Sequence, residues 1–421
     1  MAKRMAEPSA RLTALAALRA WRTEKRFADS IINKLLAQTE LDPRDRAFIL
    51  ELFYGVLRNA TLLDFWIGSL RQSPLDVDLR DLLRLGLYQL FFLKTPEHAA
   101  VHETVELAPK SRRALINAIL RTAARRQDEL RLQASKQCLA IRTSHQRFLV
   151  ARWEQNFGPD AAEALCTWNN RPPPLYARIN RLKIGRQDFR RAYPEARSIS
   201  GNRGFVEFRA FPTEALAKGH CYIQDPSTAI ACRLLDPQPG EKILDVCAAP
   251  GGKTSYVAEL MQNRGALVAC DRAVGRLRVL EENLARLGAG IARVFHFDWT
   301  HRRIPKELVA IAPFDRVLID APCSNTGVMR RRVDVRWRIR AADFVRMQEQ
   351  QLKIVRTALG LLKTGGVFVY STCSLEPEEN EKVMQQLLRE FANSRQMEAR
   401  SSLPFRDGFD GAFAAKLIRA A

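Results

Sequence analysis

The chain contains no C-x-x-C pair, although eight of its 421 residues are cysteines. Without cysteines at metal-ligand spacing, a zinc ribbon is not expected. Histidine is scarce, with six residues in all. His98 and His102 lie four apart on a predicted helix, but no third ligand accompanies them. We therefore predict no metal site and interpret both as ordinary helix residues.

Long apolar runs are missing as well. No segment approaches the roughly 20 apolar residues of a membrane span, and the first residues lack the apolar centre of a signal peptide. These absences predict a cytoplasmic protein with no membrane partner. Acidic residues are outnumbered, 46 against 67 basic ones, which leaves a net charge of +21. A solvated basic surface would explain this surplus, but a polyanionic partner is favoured because each phosphate contact releases a counterion.

Hydrophobic periodicity divides the chain into four parts. Residues 1–126 show helical stripes and predict an all-α bundle. Residues 127–144 are polar and weakly patterned, which predicts a linker. Residues 145–235 predict two helices and then a small α+β subdomain. Residues 236–421 alternate strands with helices, which predicts an α/β, Rossmann-like domain around a doubly wound parallel sheet. Ligands of such a sheet bind beyond the carboxyl ends of its strands.

Two predicted strands of this domain end in cysteines. The apolar run 317–319 leads into Asp320, and Cys323 follows three residues later. About fifty residues further on, a second apolar strand ends at Cys373. Because parallel strands share one carboxyl edge, two thiols and one carboxylate are expected to meet there.

A small-residue loop follows the first strand of this domain. Glycines and alanines let backbone N–H groups approach a ligand at a helix N-terminus. Acids at the next strand ends, Asp271 and Asp298, suit the hydroxyls of a ribose, although simple strand-end capping is the alternative. The predicted cofactor-binding residues of the loop are Cys247, Ala248, Ala249, Pro250, Gly251, Gly252 and Lys253.

The end of this loop, Gly252-Lys253-Thr254, is similar to the end of a P-loop. Cys247 stands where the first glycine of that motif is required, so the phosphate cradle is incomplete. An adenosine-type cofactor without phosphates fits better, and S-adenosyl-L-methionine is the predicted ligand. An NTPase is the alternative.

Three ordered motifs then carry a family resemblance. Residues 245–254, 320–328 and 370–374 together resemble the Sun (Fmu) family of RNA cytosine-C5 methyltransferases. Arg178-Ile-Asn180 and Gln224-Asp-Pro-Ser227 add to a likeness that spans about 170–421. Arg331-Arg332-Val333-Asp334 lacks the His-Pro that the family often has there, and the tail 407–413 differs from the usual ending.

The region 1–126 resembles the NusB-like RNA-binding domain fused to the bacterial members that modify 16S ribosomal RNA. Asp45-Arg46, the stretch 53–58 and Asn117-Ala-Ile-Leu-Arg121 carry this looser likeness. The resemblance implies a cytosine in 16S ribosomal RNA as the substrate. We expect a monomer.

The resemblance also implies the catalytic roles. Cys373 would be the nucleophile that adds to C6 of the cytosine, and Cys323 would assist release of the C5 proton. Asp320 would bind the base and lie against the cofactor, while Lys253 would hold Asp320 or stabilise a thiolate. The target base must leave its stack to be attacked at C6.

Arginines crowd the stretch that follows the first cysteine motif. Guanidinium groups with an interleaved aromatic ring suit phosphate contacts and base stacking. RNA-binding residues are predicted there and in the α+β subdomain: Arg178, Asn180, Arg330, Arg331, Arg336 and Arg338.

Two further interpretations stay open on the sequence. In a DNA cytosine methyltransferase, the cysteine of the Pro-Cys motif is the nucleophile, which would make Cys323 essential and Cys373 dispensable. Alternatively, the protein is a non-enzymatic RNA-binding factor with a decayed methyltransferase domain. Complete motifs disfavour that second reading.

Overall fold

A computed structural model describes residues 9–39, 41–301, 303–391 and 394–419. The chain forms two compact units. The first, here called the helical unit, contains the chain up to Arg171 together with Met329–Arg338. The second, the sheet unit, contains Pro172–Val328 and the chain from Ile339 onward. None of the helices in the described ranges has the length and hydropathy that a bilayer crossing requires.

The α-helices are, in chain order, α1 (Ala10–Thr23), α2 (Ala28–Ala37), α3 (Pro43–Arg58), α4 (Ala60–Leu70), α5 (Val77–Phe92), α6 (Glu97–Glu106), α7 (Arg113–Arg125), α8 (Gln127–Ser135), α9 (Leu139–Arg142), α10 (Arg147–Phe157), α11 (Pro159–Asn170), α12 (Arg186–Ala192), α13 (Thr213–Ala217), α14 (Ala229–Leu235), α15 (Gly252–Leu260), α16 (Val274–Leu287), α17 (Lys306–Ile311), α18 (Val335–Arg338), α19 (Ala341–Leu359), α20 (Glu381–Glu390) and α21 (Pro404–Asp407). The strands are β1 (Leu175–Ile179), β2 (Arg197–Ser198), β3 (Phe205–Phe208), β4 (Cys221–Ile223), β5 (Lys242–Asp245), β6 (Ala266–Asp271), β7 (Ala292–His296), β8 (Phe314–Asp320), β9 (Leu362–Thr372), β10 (Ser394–Ser402) and β11 (Ala412–Arg419).

Local sequence signals start the helices of the helical unit. The Asp42 carboxylate caps α3 by accepting from the N–H of Asp45, with Pro43 in the first turn, and Asp76 caps α5 in the same way. These caps satisfy N–H groups that the helix itself leaves unpaired. Helix α5 is buried on most of its surface and lies at the centre of the unit's apolar core.

The predicted linker is wrong for most of its length. Residues 127–144 include α8 and α9, and Leu130 and Ala134 of α8 belong to the apolar core of the helical unit. The indole N–H of Trp66 donates to the Leu130 carbonyl over 3.0 Å. Few apolar residues suffice to dock so short a helix, which is why the stretch looks unpatterned in sequence.

Two sheets form the sheet unit. A small antiparallel sheet has the order β2-β3-β1-β4, as expected for an α+β subdomain. The large sheet has the order β10-β11-β9-β8-β5-β6-β7. Its strands β9, β8, β5, β6 and β7 run parallel, as predicted. One edge differs from the predicted doubly wound parallel sheet, because β11 runs antiparallel to β9 and β10.

The pairing of β8 with β9 determines where the two cysteines lie. Asp320 is the Cα partner of Ser371 in this parallel pair. Cys323 and Cys373 therefore follow the strands at nearly the same height, beyond the same carboxyl edge. On the other side of β8, strand β5 ends at Asp245 and leads into the small-residue loop.

Candidate active site

The two cysteines lie side by side. Cys323 Sγ and Cys373 Sγ are 3.2 Å apart, and both residues are half-buried. Asn325 contacts both loops, since its Oδ1 accepts from Cys373 Sγ at 3.3 Å and its Nδ2 donates to the Cys323 carbonyl at 2.8 Å. Its backbone is left-handed, with φ of 61°, a conformation that asparagine tolerates better than most residues. A thiol pair is thus held open to solvent at the sheet edge.

An ion pair stands next to the thiols. Lys253 Nζ donates to Asp320 Oδ2 over 2.7 Å, and Ser371 Oγ donates to Asp320 Oδ1 over 2.9 Å. Burial lowers the pKa of Lys253, but Asp320 more than offsets this, so the net pKa lies above its usual value. Lys253 is therefore a fixed cation. The lysine of the small-residue loop thus pairs with the carboxylate of the first cysteine motif, which favours a role beside the thiols over the NTPase alternative.

The Cys323 thiol is held in its protonated form. Its hydrogen bond with Cys373, together with burial, raises the pKa of Cys323 well above the usual value. Because the two thiols share this hydrogen bond, the ionisation of one depends on the protonation of the other.

The small-residue loop turns tightly at the end of β5. Gly251 has φ of 104°, and a Cβ there would meet Leu280 at 2.9 Å, so only glycine fits without adjustment. Ala248 and Ala249 are buried, Cys247 and Gly252 are half-buried, and Pro250 is exposed. The Asp271 carboxylate accepts from the N–H groups of Ala249, at 3.2 Å, and Ala273, at 3.0 Å.

Three carboxylates lie at the carboxyl edge of the large sheet. Asp245 ends β5, Asp271 ends β6, and Asp298 follows the last residue of β7 by two positions. Asp298 is half-buried. Burial raises its pKa, but the hydrogen bonds from Thr300 together with the charges of Arg272 and His301 leave the pKa below its usual value. Asp245 is completely buried, and its Oδ1 has no hydrogen-bond partner among the described residues. Carboxyl oxygens beside a glycine turn match the hydroxyls and ammonium group of S-adenosyl-L-methionine, so these residues fit that cofactor.

Below the thiols, the two cysteine loops are joined by close backbone contacts. Gly327 donates its N–H to the Cys373 carbonyl over 2.9 Å and accepts from the N–H of Gly411 at 2.8 Å. A Cβ on Gly327 would meet the Cys373 carbonyl oxygen at 2.6 Å. Gly411 belongs to the tail that departs from the usual family ending, and here it supports the cysteine loops directly.

Three predicted RNA-binding residues are interior residues instead. Arg178 is 1% exposed and pairs with Glu259, while Asn180 is 1% exposed and donates to the carbonyls of Gly219 and Leu287. Arg336 is completely buried. The prediction of RNA contacts for these three is therefore wrong in this conformation, because their polar groups are used inside the fold.

The other three lie nearer the surface of the helical unit. Arg330 stacks over Trp168, with its guanidinium carbon 4.1 Å from the ring centroid, and is 8% exposed. Arg338 donates to the carbonyls of Trp21, Glu24 and Arg26. Arg331 is half-buried. RNA contact stays a prediction for Arg330, Arg331 and Arg338.

Sequence reasoning missed Asn325 and Glu379. Asn325 lies within a quoted motif, but nothing in its position indicates a contact with Cys373. Glu379 stands in an acidic stretch, Glu376–Glu381, whose composition is that of a solvated helix start. In the structure it is completely buried between the two cysteine loops.

Comparison with known proteins agrees with this architecture. Residues 8–125 match the NusB family, residues 145–198 match the ferredoxin-like domain of RsmF/B-like methyltransferases, and residues 232–418 match the 16S rRNA methyltransferase RsmB/F family.

Relatives match nearly the whole chain. The ribosomal RNA small subunit methyltransferase B of Serratia proteamaculans is 36% identical over 404 residues, covering 91% of this chain and 92% of that protein. The probable methyltransferase B of Bacillus subtilis is 33% identical and covers 92% and 89%. A solved methyltransferase homolog protein from Pyrococcus horikoshii is 30% identical, with a TM-score of 0.59 over 67% of this chain and 97% of that one. The chain thus belongs to the RsmB/F family of S-adenosylmethionine-dependent ribosomal RNA methyltransferases.

Proposed function

We propose that the protein methylates C5 of one cytosine in 16S ribosomal RNA through a covalent bond between Cys373 and C6 of the base. The observation that carries this proposal is the thiol pair, 3.2 Å apart, beside the Lys253–Asp320 ion pair at the sheet edge. The cofactor supplies an electrophilic methyl group on a sulfonium. Every other requirement of the reaction falls on side chains of this chain.

Cys373 performs the addition. Cytosine C5 is a weak nucleophile until a thiolate adds at C6, which breaks the aromatic ring and makes C5 enamine-like. The Lys253 cation favours the thiolate form of a nearby cysteine. As Cys373 adds, negative charge develops on the ring, and the proton that leaves the Cys373 thiol passes to N3 by way of the Asp320 carboxylate, which stabilises that charge.

Cys323 completes the cycle. After C5 has taken the methyl group, the C5 proton must leave so that the electron pair of that C–H bond can expel Cys373 from C6. Cys323 is the base for this proton. Once Cys373 is bonded to C6 it no longer shares a hydrogen bond with Cys323, so the Cys323 thiol can lose its own proton to solvent, and the resulting thiolate takes the proton from C5. Backbone groups of residues 247–252 and the carboxylates of Asp271 and Asp298 would hold the cofactor, whose sulfonium would supply the methyl group.

Replacing each cysteine separately tests these roles. With Cys373→Ala we expect methylation to fall by at least about 10³-fold, as for loss of a covalent nucleophile. With Cys323→Ala we expect an RNA–protein adduct that survives denaturing electrophoresis, because addition and methyl transfer proceed but release does not. Normal turnover by Cys373→Ala, or an adduct that requires Cys323, would exchange the roles and favour the DNA-enzyme arrangement.

The methylated nucleotide can be identified by sequencing the RNA. Bisulfite sequencing of 16S ribosomal RNA from cells lacking the protein should reveal one unprotected cytosine that is protected in the parent strain. If no cytosine changes, the proposed substrate is wrong.

A further inference from the structure

We propose that Glu379 is a positioning residue that clamps the two cysteine loops together and so sets the approach of Cys323 to Cys373. The inference rests on the proposed function for its catalytic consequence, but the clamp itself is a property of the fold. Glu379 makes no hydrogen bond to either sulfur and positions them through the loops that carry them.

The Glu379 carboxylate reaches both loops at once. Its Oε2 accepts from the Ser324 N–H at 2.8 Å, and its Oε1 accepts from the Ser324 hydroxyl. The same Oε1 accepts from the hydroxyl of Ser374 at 2.7 Å. Ser324 and Ser374 are each the residue directly after a catalytic cysteine. One side chain thus joins the two positions next to the thiols.

Helix α19 also contacts the Glu379 carboxylate. Gln351 of α19 donates from Nε2 to Glu379 Oε2 at 3.1 Å and to the Pro322 carbonyl at 3.0 Å. Pro322 precedes Cys323, so the loop is gripped on both sides of that cysteine. Burial raises the pKa of Glu379, and the donors from Ser324, Ser374 and Gln351 lower it in part. The donors to the carboxylate, from Ser324, Ser374 and Gln351, are all neutral groups.

The neighbouring residue secures the second loop. Asn380 Nδ2 donates to the Ser374 carbonyl at 2.9 Å, and the Thr372 hydroxyl donates to Asn380 Oδ1 at 2.6 Å. The Tyr370 hydroxyl donates to the Glu379 carbonyl at 2.6 Å. Cys373 is therefore held on both sides as well. These groups are all buried, where hydrogen bonds are costly to lose.

Two substitutions separate a hydrogen-bonded clamp from an electrostatic effect. Glu379→Gln removes the charge but can keep the clamp, because its oxygen can face the Ser324 N–H and its amide can donate to the two serine hydroxyls. Glu379→Ala removes the clamp itself. Glu390→Gln is the matched control. Glu390 ends the adjacent helix α20 and is exposed, and its partners within the described part of the chain are Arg356 and Gln386.

The first readout is the proximity of the thiols, which requires neither RNA nor cofactor. Diamide takes two electrons and two protons from a close thiol pair, forming a disulfide and a hydrazine, and mass spectrometry quantifies the Cys323–Cys373 peptide pair. We expect Glu379→Ala to slow this reaction by about 10-fold or more, while Glu379→Gln and Glu390→Gln stay within about 3-fold of the parent, because a misplacement of ~1 Å is costly for a reaction between positioned groups.

The second readout is the split between kcat and KM. For Glu379→Ala we expect kcat to fall by about 10- to 100-fold with the KM values for RNA and cofactor within about twofold, and Glu379→Gln to retain most of kcat. Equal rates of disulfide formation in Glu379→Ala and the parent would overturn the proposal. Loss of kcat in Glu379→Gln equal to that in Glu379→Ala would overturn it too, because charge would then be the requirement.

Failure of the clamp and failure of the proposed function remain distinguishable. If the parent protein methylates no cytosine, the proposed reaction is wrong, but the disulfide rates still report on the clamp. If the Glu379→Ala variant is unfolded by circular dichroism, Glu379→Asp takes its place, because its shorter side chain cannot reach both serines and should slow disulfide formation in the same way.

Discussion

Glu379 in the sheet unit and Arg336 in the helical unit are both completely buried charges, but they are satisfied differently. Both oxygens of Glu379 accept hydrogen bonds. Arg336 donates to Asn170 Oδ1 at 2.6 Å and to the Asn169 carbonyl at 3.0 Å, yet its Nε has no partner among the described residues. Charged residues near a catalytic motif can thus be buried and hold the fold together. How completely their polar atoms are hydrogen-bonded determines how much each stabilises the folded state.

The origin of the partners differs as well. Glu379 bonds to residues next to the two cysteines, which the pairing of β8 with β9 brings together. Arg336 donates to groups at the C-terminal end of α11 and, over longer distances, to the carbonyls of Arg58 and Ser144, both at 3.4 Å. Burial and the nearby Arg58 lower the pKa of Arg336 to about 9, so it is still a cation at neutral pH.

Asp245 is a third buried charged residue, and its Oδ1 has no hydrogen-bond partner among the described residues. We expect its replacement to have the largest effect on the free energy of unfolding. Burial raises the pKa of Asp245 from 3.8 to about 7. A raised folded-state pKa contributes stability that is complete below pH 3.8 and is lost as pH rises through 7. Relative to Asp245→Asn, which does not titrate, the parent should lose about 4 kcal/mol of unfolding free energy across that window.

Denaturant unfolding of parent and variant at several pH values, followed by hydrogen exchange in the sheet unit, checks this prediction. A difference between the two proteins that is constant from pH 4 to pH 8 would show that Asp245 does not bind a proton on folding.

Arg336 should give the next largest effect. Arg336→Met leaves several buried acceptors without donors, and we expect the helical unit to lose about 3 kcal/mol. Arg336→Lys should recover only part of this, because an ammonium group cannot replace a planar fork of donors. Hydrogen exchange of amides in α3 and α11 provides the measurement. The exposed Arg332 is the control, and Arg332→Met should change stability by less than about 0.5 kcal/mol.

Asp334 is another buried charged residue whose replacement should lower the stability of the helical unit, by less than that of Arg336. Its Oδ2 accepts from the N–H of Ala28 at 2.8 Å, from Trp21 Nε1 at 3.4 Å and from Arg338 Nε at 3.2 Å. Asp334→Asn keeps an acceptor but loses the charge, so we expect a loss of about 1 to 2 kcal/mol, again within the helical unit. Tryptophan fluorescence during urea unfolding would report it, and an unchanged midpoint would contradict it.

The smallest effect concerns RNA. If the exposed arginines contact phosphates and Arg336 only braces the fold, Arg332→Ala should weaken RNA binding by less than about tenfold and reduce the slope of log K against log salt by about 1. Arg336→Lys should leave that slope unchanged. A reduced slope for Arg336→Lys and none for Arg332→Ala would reverse the assignment.

Motifs and periodicity predicted a large part of the fold. The parallel strands, the small antiparallel subdomain and the helices α10 and α11 follow from apolar patterning and from Pro and Gly at their ends. The antiparallel edge was not predicted, because β10 is exposed along nearly its whole length and shows no alternation. Strand β10 forms because it pairs with β11, and its own sequence shows no strand pattern.

The order of the residues along the strands determined that Asp320, Cys323 and Cys373 share one edge, since parallel pairing fixes which ends coincide. Residue type alone could not reveal which polar groups are internal. Arg178, Arg336 and Glu379 are of residue types that usually lie on the surface. Each is nevertheless buried, because donors or acceptors from distant segments of the chain surround it. Only the tertiary structure decides this, since the cost of burying a charge depends on partners that the local sequence does not contain.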